Sequence, residues 1–346
     1  MSQDFLENRT PYAAEPLFLS DENGRPVLTL VIKATYAVQW DQLRLEDEQA
    51  PLLLEGELWG KDNALSSYRY EPECAFFKPA TDVVLVGHAH PPEPQANAFL
   101  VSFQVGPLRK IVRVVGDRVW YKRLGSITMS GPQPVKSVPL CYEQSFGGWD
   151  RSDPSTERHT FEPRNPVGRG FRAQHGRFEE GILLPNLEDP EQLVKSFRQT
   201  VAPAGFGFLS PHWQPRARYA GTYDEAWTHE RMPLLPKDFD RRFLNAASPG
   251  LVADEYLRGD EYVSVVNVAP MGRLSFRLPG TPPPSFRVGL KGRRSLQGEA
   301  RLDTVILNTD EAKLYLLWRA LIPLSSGPHD LVGMEVHAPN GPASHK

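Results

Sequence analysis

Apolar positions along the chain recur with a period of two far more often than with a helical period. The clearest run is Pro26 to Val38, apolar at nearly every position from Val27 to Ile32 and alternating in its second half. A β-branched run without polar interruption needs cover on both faces, so it predicts a central strand buried on either side. Asp21-Glu22-Asn23-Gly24 ahead of it is a turn signal. Shorter strand patterns follow at Asp82–His88, Ala98–Val105, Leu108–Val115 and Arg118–Lys122. Gly106-Pro107 separates the second from the third, and Gly116-Asp117 predicts a tight hairpin between the last two. Pro91-Pro92-Glu93-Pro94 predicts a stiff extended connector.

From about Gly147 to Gly259 these runs give way to Pro, Gly, Arg and aromatic residues. The stretch Leu140–Phe171 opens this region. Its glycines and prolines lie beside rings and arginines, which predicts a loop held by special backbone angles and by its own packing. Helix is expected only in short pieces. One is Thr222–Trp227, with Thr222 as cap and Glu225 as its capping-box partner; the other is Pro236–Ala247. Strand patterns return at Glu261–Val268, Arg273–Leu278, Ser285–Leu290, Arg301–Asn308 and Lys313–Ile322, with 308–311 as a hairpin connector before the last. That last run is rich in Leu and Ala, which favour helix, but it follows a turn and ends at Pro323, so strand is expected.

The pattern therefore predicts a mainly β protein. Its antiparallel sheets form a sandwich or a barrel-like arrangement, with a long irregular Gly/Pro/Arg-rich middle segment and a few short helices. The organisation read from it is a polar lead at 1–9, a β-rich region at 10–325 and a loose tail at 326–346. The β-rich region is one large domain, or two packed halves (10–146 and 260–325) bridged by 147–259.

Composition narrows the functional classes. Hydrophobic residues make up 40% of the 346 positions and charged residues 23%, enough apolar surface for a large core and too much for a disordered chain. A formal net charge of −3 argues against nucleic acid as a partner. No apolar run approaches the ~20 residues of a membrane-spanning helix. The acidic start MSQDFLENRT is unlike a secretory leader, so a cytoplasmic protein is expected. Cys74 and Cys141 are too few for a disulfide framework and read as buried, reduced thiols.

Candidate chemistry is sparse, and no catalytic residue, cofactor or metal is assigned. His88-Ala89-His90 puts two imidazoles on one strand face without a third ligand nearby, which reads as a strand-end pair rather than a metal site. Asp224-Glu225 and Asp238 with Asp240 supply carboxylates of the kind a glycoside hydrolase uses, but acids in a first helical turn are explained by the helix dipole. Ser145 lacks the Gly-x-Ser-x-Gly context of a nucleophile elbow, since residue 143 is Glu. Gly168-Arg169-Gly170 lacks the glycine spacing of a dinucleotide loop. The arginines at 151, 158, 164, 169, 172 and 177 read as a network fixing loop carbonyls and carboxylates. Of Trp149, Phe171, Trp213, Tyr223 and Trp227, most are expected in the core and one or two at an interface.

Several blocks resemble a known family. They are CYEQSFGG at 141–148, NPVGRGF at 165–171, LPNLEDP at 184–190, Phe206-Gly207-Phe208, Trp213-Gln214-Pro215-Arg216, AGTYDEAW at 220–227, PLLPKDFDRRFLNAA at 233–247 and MGRLSF at 271–276. Together, from near Pro11 to about Pro323, they resemble a bacterial family of unknown-function domains found beside type VI secretion genes, whose members are described as effector adaptors or chaperones. The resemblance implies a non-enzymatic adaptor that binds a toxin carrying a PAAR-like domain and loads it onto the secretion spike. It implies no catalytic residues. Contact with the effector, or with the spike protein, is expected through the middle loops, with Trp149, Arg169 and Trp227 as test sites. A hydrolase on a β-sandwich using the carboxylates above, and a carbohydrate- or small-ligand-binding module using the tryptophans, are the alternatives.

Overall fold

A computed structural model describes residues 5–39, 42–62, 64–269 and 272–338. Residues 1–4 of the polar lead, Met271 of the family-like blocks and the tail beyond 338 lie outside the described residues. Along the chain come β1 (Leu6–Arg9), β2 (Ala13–Ser20), β3 (Pro26–Gln39), β4 (Gln42–Leu45) and β5 (Asp82–Val86). Next are β6 (Ala98–Val105), β7 (Leu108–Val115), β8 (Val119–Arg123) and β9 (Ser126–Met129). The irregular middle contains two-residue strands, among them β10 (Ile182–Leu183) and β11 (Leu187–Glu188), and the helix α1 (Glu225–Glu230). Strands resume as β12 (Tyr262–Val266), β13 (Arg273–Arg277), β14 (Ser285–Leu290), β15 (Leu296–Glu299), β16 (Arg301–Asn308), β17 (Lys313–Pro323) and β18 (Leu331–His337).

The fold is mainly β. In the first sheet the order is β2-β3-β17-β16-β5, with β4 also on β3. Its ladders are antiparallel except β5 on β16, which is parallel. The second sheet, β11-β7-β6-β12-β13, is antiparallel throughout. In the third, β1-β18-β14-β15, β1 lies parallel to β18. A smaller sheet runs β9-β8-β10. One hydrophobic cluster draws on the three larger sheets, with Leu30 of β3, Leu316 of β17, Phe103 of β6 and Val288 of β14 all fully buried. Each such side chain contributes roughly 1.5–3 kcal/mol by leaving water. β3 is buried along almost its whole length because β2 and β17 flank it and both of its faces are covered.

Buried ion pairs among the described residues include Lys33–Glu73 (2.7 Å), Lys78–Asp82 (2.7 Å), Arg319–Asp303 (2.5 Å) and Arg216–Glu71 (2.5 Å). Lys33–Glu73 and Arg216–Glu71 tie the segment around 71–82 to residues far away in sequence, and Arg319 also donates to the carbonyls of Glu73 and Ala75. Burial of a lone charge would cost several kcal/mol, so each charge is retained with its partner.

Several local expectations are corrected. Gly116-Asp117 is no hairpin, because β7 and β8 enter different sheets. The proline connector is not extended: it turns at Glu93–Ala96, where Ala96 N–H donates to Glu93 C=O. α1 starts two residues later than the capping box at Thr222 predicts. Its cap is Asp224, whose carboxylate accepts from Trp227 N–H, while Thr222 is engaged by Asp238. The helix expected at 236–247 shrinks to one 3₁₀ turn, Arg241–Leu244. Part of the tail is structured rather than loose, since 331–337 form β18, and Leu6–Arg9 of the lead pairs with it as β1.

Candidate binding groove

The local geometry begins at β7. Its two-residue hairpin with β6 pairs Val105 with Leu108, so Leu108, Lys110, Val112 and Val114 direct their backbone groups toward β6. The groups of Arg109, Ile111, Arg113 and Val115 point the other way. β11 takes up only the far end of that outer edge, pairing at Arg113 and Val114, with Val115 N–H donating to Asn186 C=O. It then departs at Asp189-Pro190. Pro190 has no N–H to continue the ladder, and Asp189 closes a turn, its carboxylate accepting from Glu191 N–H (2.9 Å) and its carbonyl from Gln192 N–H (3.0 Å). Beside Arg109 and Ile111 the edge is left without a backbone partner among the described residues.

This open edge borders a groove of about 540 Å³, within the usual range for a ligand site. Its walls are largely apolar and include Leu100, Pro190, Pro203, Leu209, Pro215 and Pro249, with Tyr142 also lining it. Lys110 reaches it from the inner face of β7. Its ammonium donates to Ser248 Oγ (2.5 Å) and to the Pro249 carbonyl (2.8 Å), and Tyr142 OH donates to the same Ser248 Oγ (2.9 Å). Ser248 in turn donates to Gly205 C=O (2.8 Å). Burial pushes Lys110 down to about 8, offset in part by the Asp189 carboxylate. Lys110 forms no ion pair with a carboxylate among the described residues.

A buried carboxylate holds the wall that carries Ser248. Asp82 accepts from Asn245 Nδ2 (3.0 Å), Ala246 N–H (3.0 Å) and Ala247 N–H (3.3 Å), and pairs with Lys78. The irregular centre holds the opposite side. Asn165, fully buried, donates to the carbonyls of Tyr142 (2.8 Å) and Phe146 (3.0 Å) and so fixes the turn that presents Tyr142. Gly147 (φ +150°) and Gly148 (φ +95°) pass so close to the carbonyls of Asn165 and Gly168 that a Cβ at either would overlap them. Arg169 donates to Glu143 C=O (2.9 Å) and Asn186 Oδ1 (3.0 Å), and Asn186 N–H to Gln144 C=O, which anchors β11.

The three test sites are not brought together. Arg169 is spent on this scaffold. Trp149 is 38% exposed, packed on Phe161 (4.6 Å between centroids) with Arg151 over its ring. Trp227 lies on α1 and donates to Leu234 C=O. Trp149 and Trp227 line different depressions, and neither borders the groove. Of the five aromatics, Trp213 is buried, Phe171 is half-buried against the Phe146 cluster, Trp227 is half-buried on α1, and Trp149 and Tyr223 are exposed.

The other candidates are locally engaged. Asp240 pairs with Arg242, Asp224 caps α1 and Ser145 Oγ accepts from Ala204 N–H. Arg158, Arg164 and Arg172 pair with Asp153, Glu162 and Glu179. His88 pairs with Asp310 (2.8 Å), and no group of three or more His, Cys, Asp or Glu among the described residues is placed to hold a metal. The groove itself escaped the sequence reading. Its one signal was Lys110, a charge in the apolar register of Leu108, Val112 and Val114.

A family model described as "Uncharacterized protein conserved in bacteria (DUF2169)" matches residues 23–319. The chain belongs to this family. The family's match takes in every strand from β3 to β16, and with them both sides of the groove. No curated protein and no solved structure matches the chain.

Proposed function

We propose that the protein is a non-enzymatic adaptor or chaperone that holds a type VI secretion effector carrying a PAAR-like domain and helps load it onto the secretion spike. The observation that carries the polypeptide-binding part is the open edge of β7 at Arg109–Ile111, lying in an apolar-walled groove. An unpaired strand edge offers main-chain donors and acceptors at fixed spacing, and the one partner that matches them along its length is another extended chain. The apolar walls add burial on both sides of such a strand. The rigid supports, Asp82 on one side and the Gly147–Asn165 turn on the other, keep the groove shaped before a partner arrives, which lowers the ordering cost of binding.

The effector class and the spike come from the resemblance in the blocks at 141–148, 165–171, 220–227 and 233–247. On this reading the held surface stays covered in the cytoplasm until handover, and neither step needs a cofactor. The test is co-expression with the effector encoded beside it. A complex of fixed ratio by size-exclusion chromatography with light scattering is expected, together with loss of effector stability or export when the adaptor is deleted. Unchanged effector level and export in the deletion strain would refute the proposal.

A further inference from the structure

We infer that the groove selects an acidic side chain: an extended partner segment adds to β7 beside Arg109–Ile111, and its residue opposite Lys110 is Asp or Glu, whose carboxylate accepts from the Lys110 ammonium. This rests on the polypeptide-binding reading above and adds the residue that is read.

Pleating decides where that residue points. Arg109 and Ile111 offer their backbone groups to an added strand, so the incoming residues opposite them make the main-chain bonds. The residue between them lies opposite Lys110 and shares its face, and directly opposed side chains on one face interact. That face is the groove side, where Lys110 Nζ meets Ser248 and Pro249.

Charge decides what the residue is. Lys110 is a half-buried cation whose contacts are two neutral oxygens, a state that costs free energy until an anion arrives. Arg109, exposed on the same edge, adds positive potential without an ion pair of its own among the described residues. The nearby acids do not serve Lys110 directly. Glu188 is held between Arg113 (2.5 Å) and Arg118 (2.9 Å), and Glu162 pairs with Arg164 (2.6 Å). Asp189 is committed to its own turn, and with Glu191 it makes the Pro190 end of the groove unfavourable for a second acid. The favoured register therefore places one carboxylate at Lys110.

The experiment uses the full chain and blocked synthetic heptapeptides that alternate as a strand. The probe is Ac-Thr-Val-Thr-Glu-Thr-Val-Thr-NH₂, measured by titration calorimetry at low salt. Three companions carry Gln for Glu, N-methyl groups on the two threonines flanking the Glu, or a free carboxylate directly after a Gln at the central position. The Glu peptide is expected to bind at least about tenfold tighter than the Gln peptide, as for a desolvated charge pair. N-methylation should abolish binding. Lys110→Met should equalise Glu and Gln, while Lys110→Arg should keep the preference. Equal affinity for Glu and Gln, a preference that survives Lys110→Met, tighter binding of the free carboxylate, or no binding of the Glu peptide would each overturn the inference. Binding that tolerates N-methylation would also remove the strand-addition basis of the polypeptide-binding reading. Co-purification with the effector tests the adaptor separately.

Discussion

Replacing Lys110 by Met should make the free protein more stable while removing its selectivity. The ammonium titrates near 8 in the folded chain, against 10.5 for an ordinary lysine. At about 1.4 kcal/mol per pH unit, that gap amounts to about 3 kcal/mol of unfavourable free energy carried by the folded, protonated state. Water at the groove mouth and the two hydrogen bonds lost with the ammonium reduce the gain, so about 1–3 kcal/mol of stabilisation is expected at pH 7. Ser248 keeps Tyr142 as donor and Gly205 as acceptor, and water can reach the Pro249 carbonyl, so no buried group is orphaned. The sign follows from linkage. Between about 8 and 10.5 the unfolded chain binds the extra proton, so wild-type stability contributed by this group rises with pH, and the penalty is fully present below 8. Urea unfolding of both proteins at pH 7 and pH 10 is the assay, since the difference between them cancels every other titrating group. The advantage of the variant should be largest at pH 7 and fall strongly by pH 10, where roughly a quarter of the penalty remains because the unfolded lysine is still mostly protonated. A variant less stable than wild type at pH 7, or a difference that does not change with pH, would refute the account of Lys110 as an unpaired buried cation.

Other outcomes follow from the same geometry. Asp82→Ala strands the buried Lys78 and frees the 245–247 backbone, and should cost about 3–5 kcal/mol in urea unfolding. Arg169→Ala, which removes bonds to Glu143 C=O and Asn186 Oδ1, should cost about 2 kcal/mol, whereas Trp149→Ala at the surface should change stability by less than about 1 kcal/mol; the two variants compared by thermal unfolding separate scaffold from surface. Burial, with Glu143 close by, pushes the Cys141 thiol far above its ordinary range, so native protein treated with a thiol-reactive disulfide should label Cys74 first and Cys141 only on unfolding.

The strands were legible where the pattern is local. Val27–Ile32 announced a strand covered on both faces, and β3 is that strand. The Leu-rich run before Pro323 was resolved in favour of β, and β17 pairs with β3 along its whole length. The character of Leu140–Phe171 was also legible, because three glycines at positive φ (Gly147, Gly148 and Gly170) and an asparagine spanning two carbonyls are what an irregular, rigid turn requires. Helix boundaries were less so. Thr222 and Asp224 are both good caps, and the choice fell to Asp224 because Asp238, fourteen residues beyond it, claims Thr222.

The amino-acid order alone determined the strongly patterned strands such as β3, β6, β7, β16 and β17, and that the centre is glycine-braced, since each of these is set by neighbours a few residues apart; β1, β2 and β18 become strands only through the partners they meet. It did not determine where a ladder stops. β11 leaves β7 after two pairs, Lys110 emerges facing Ser248 and Pro249, and Trp149, Arg169 and Trp227 point into different surroundings. Those outcomes depend on contacts with other segments of the chain, some of them more than a hundred residues away, such as Asp82 with Ala246 and Lys110 with Ser248, which alternation along one strand does not encode.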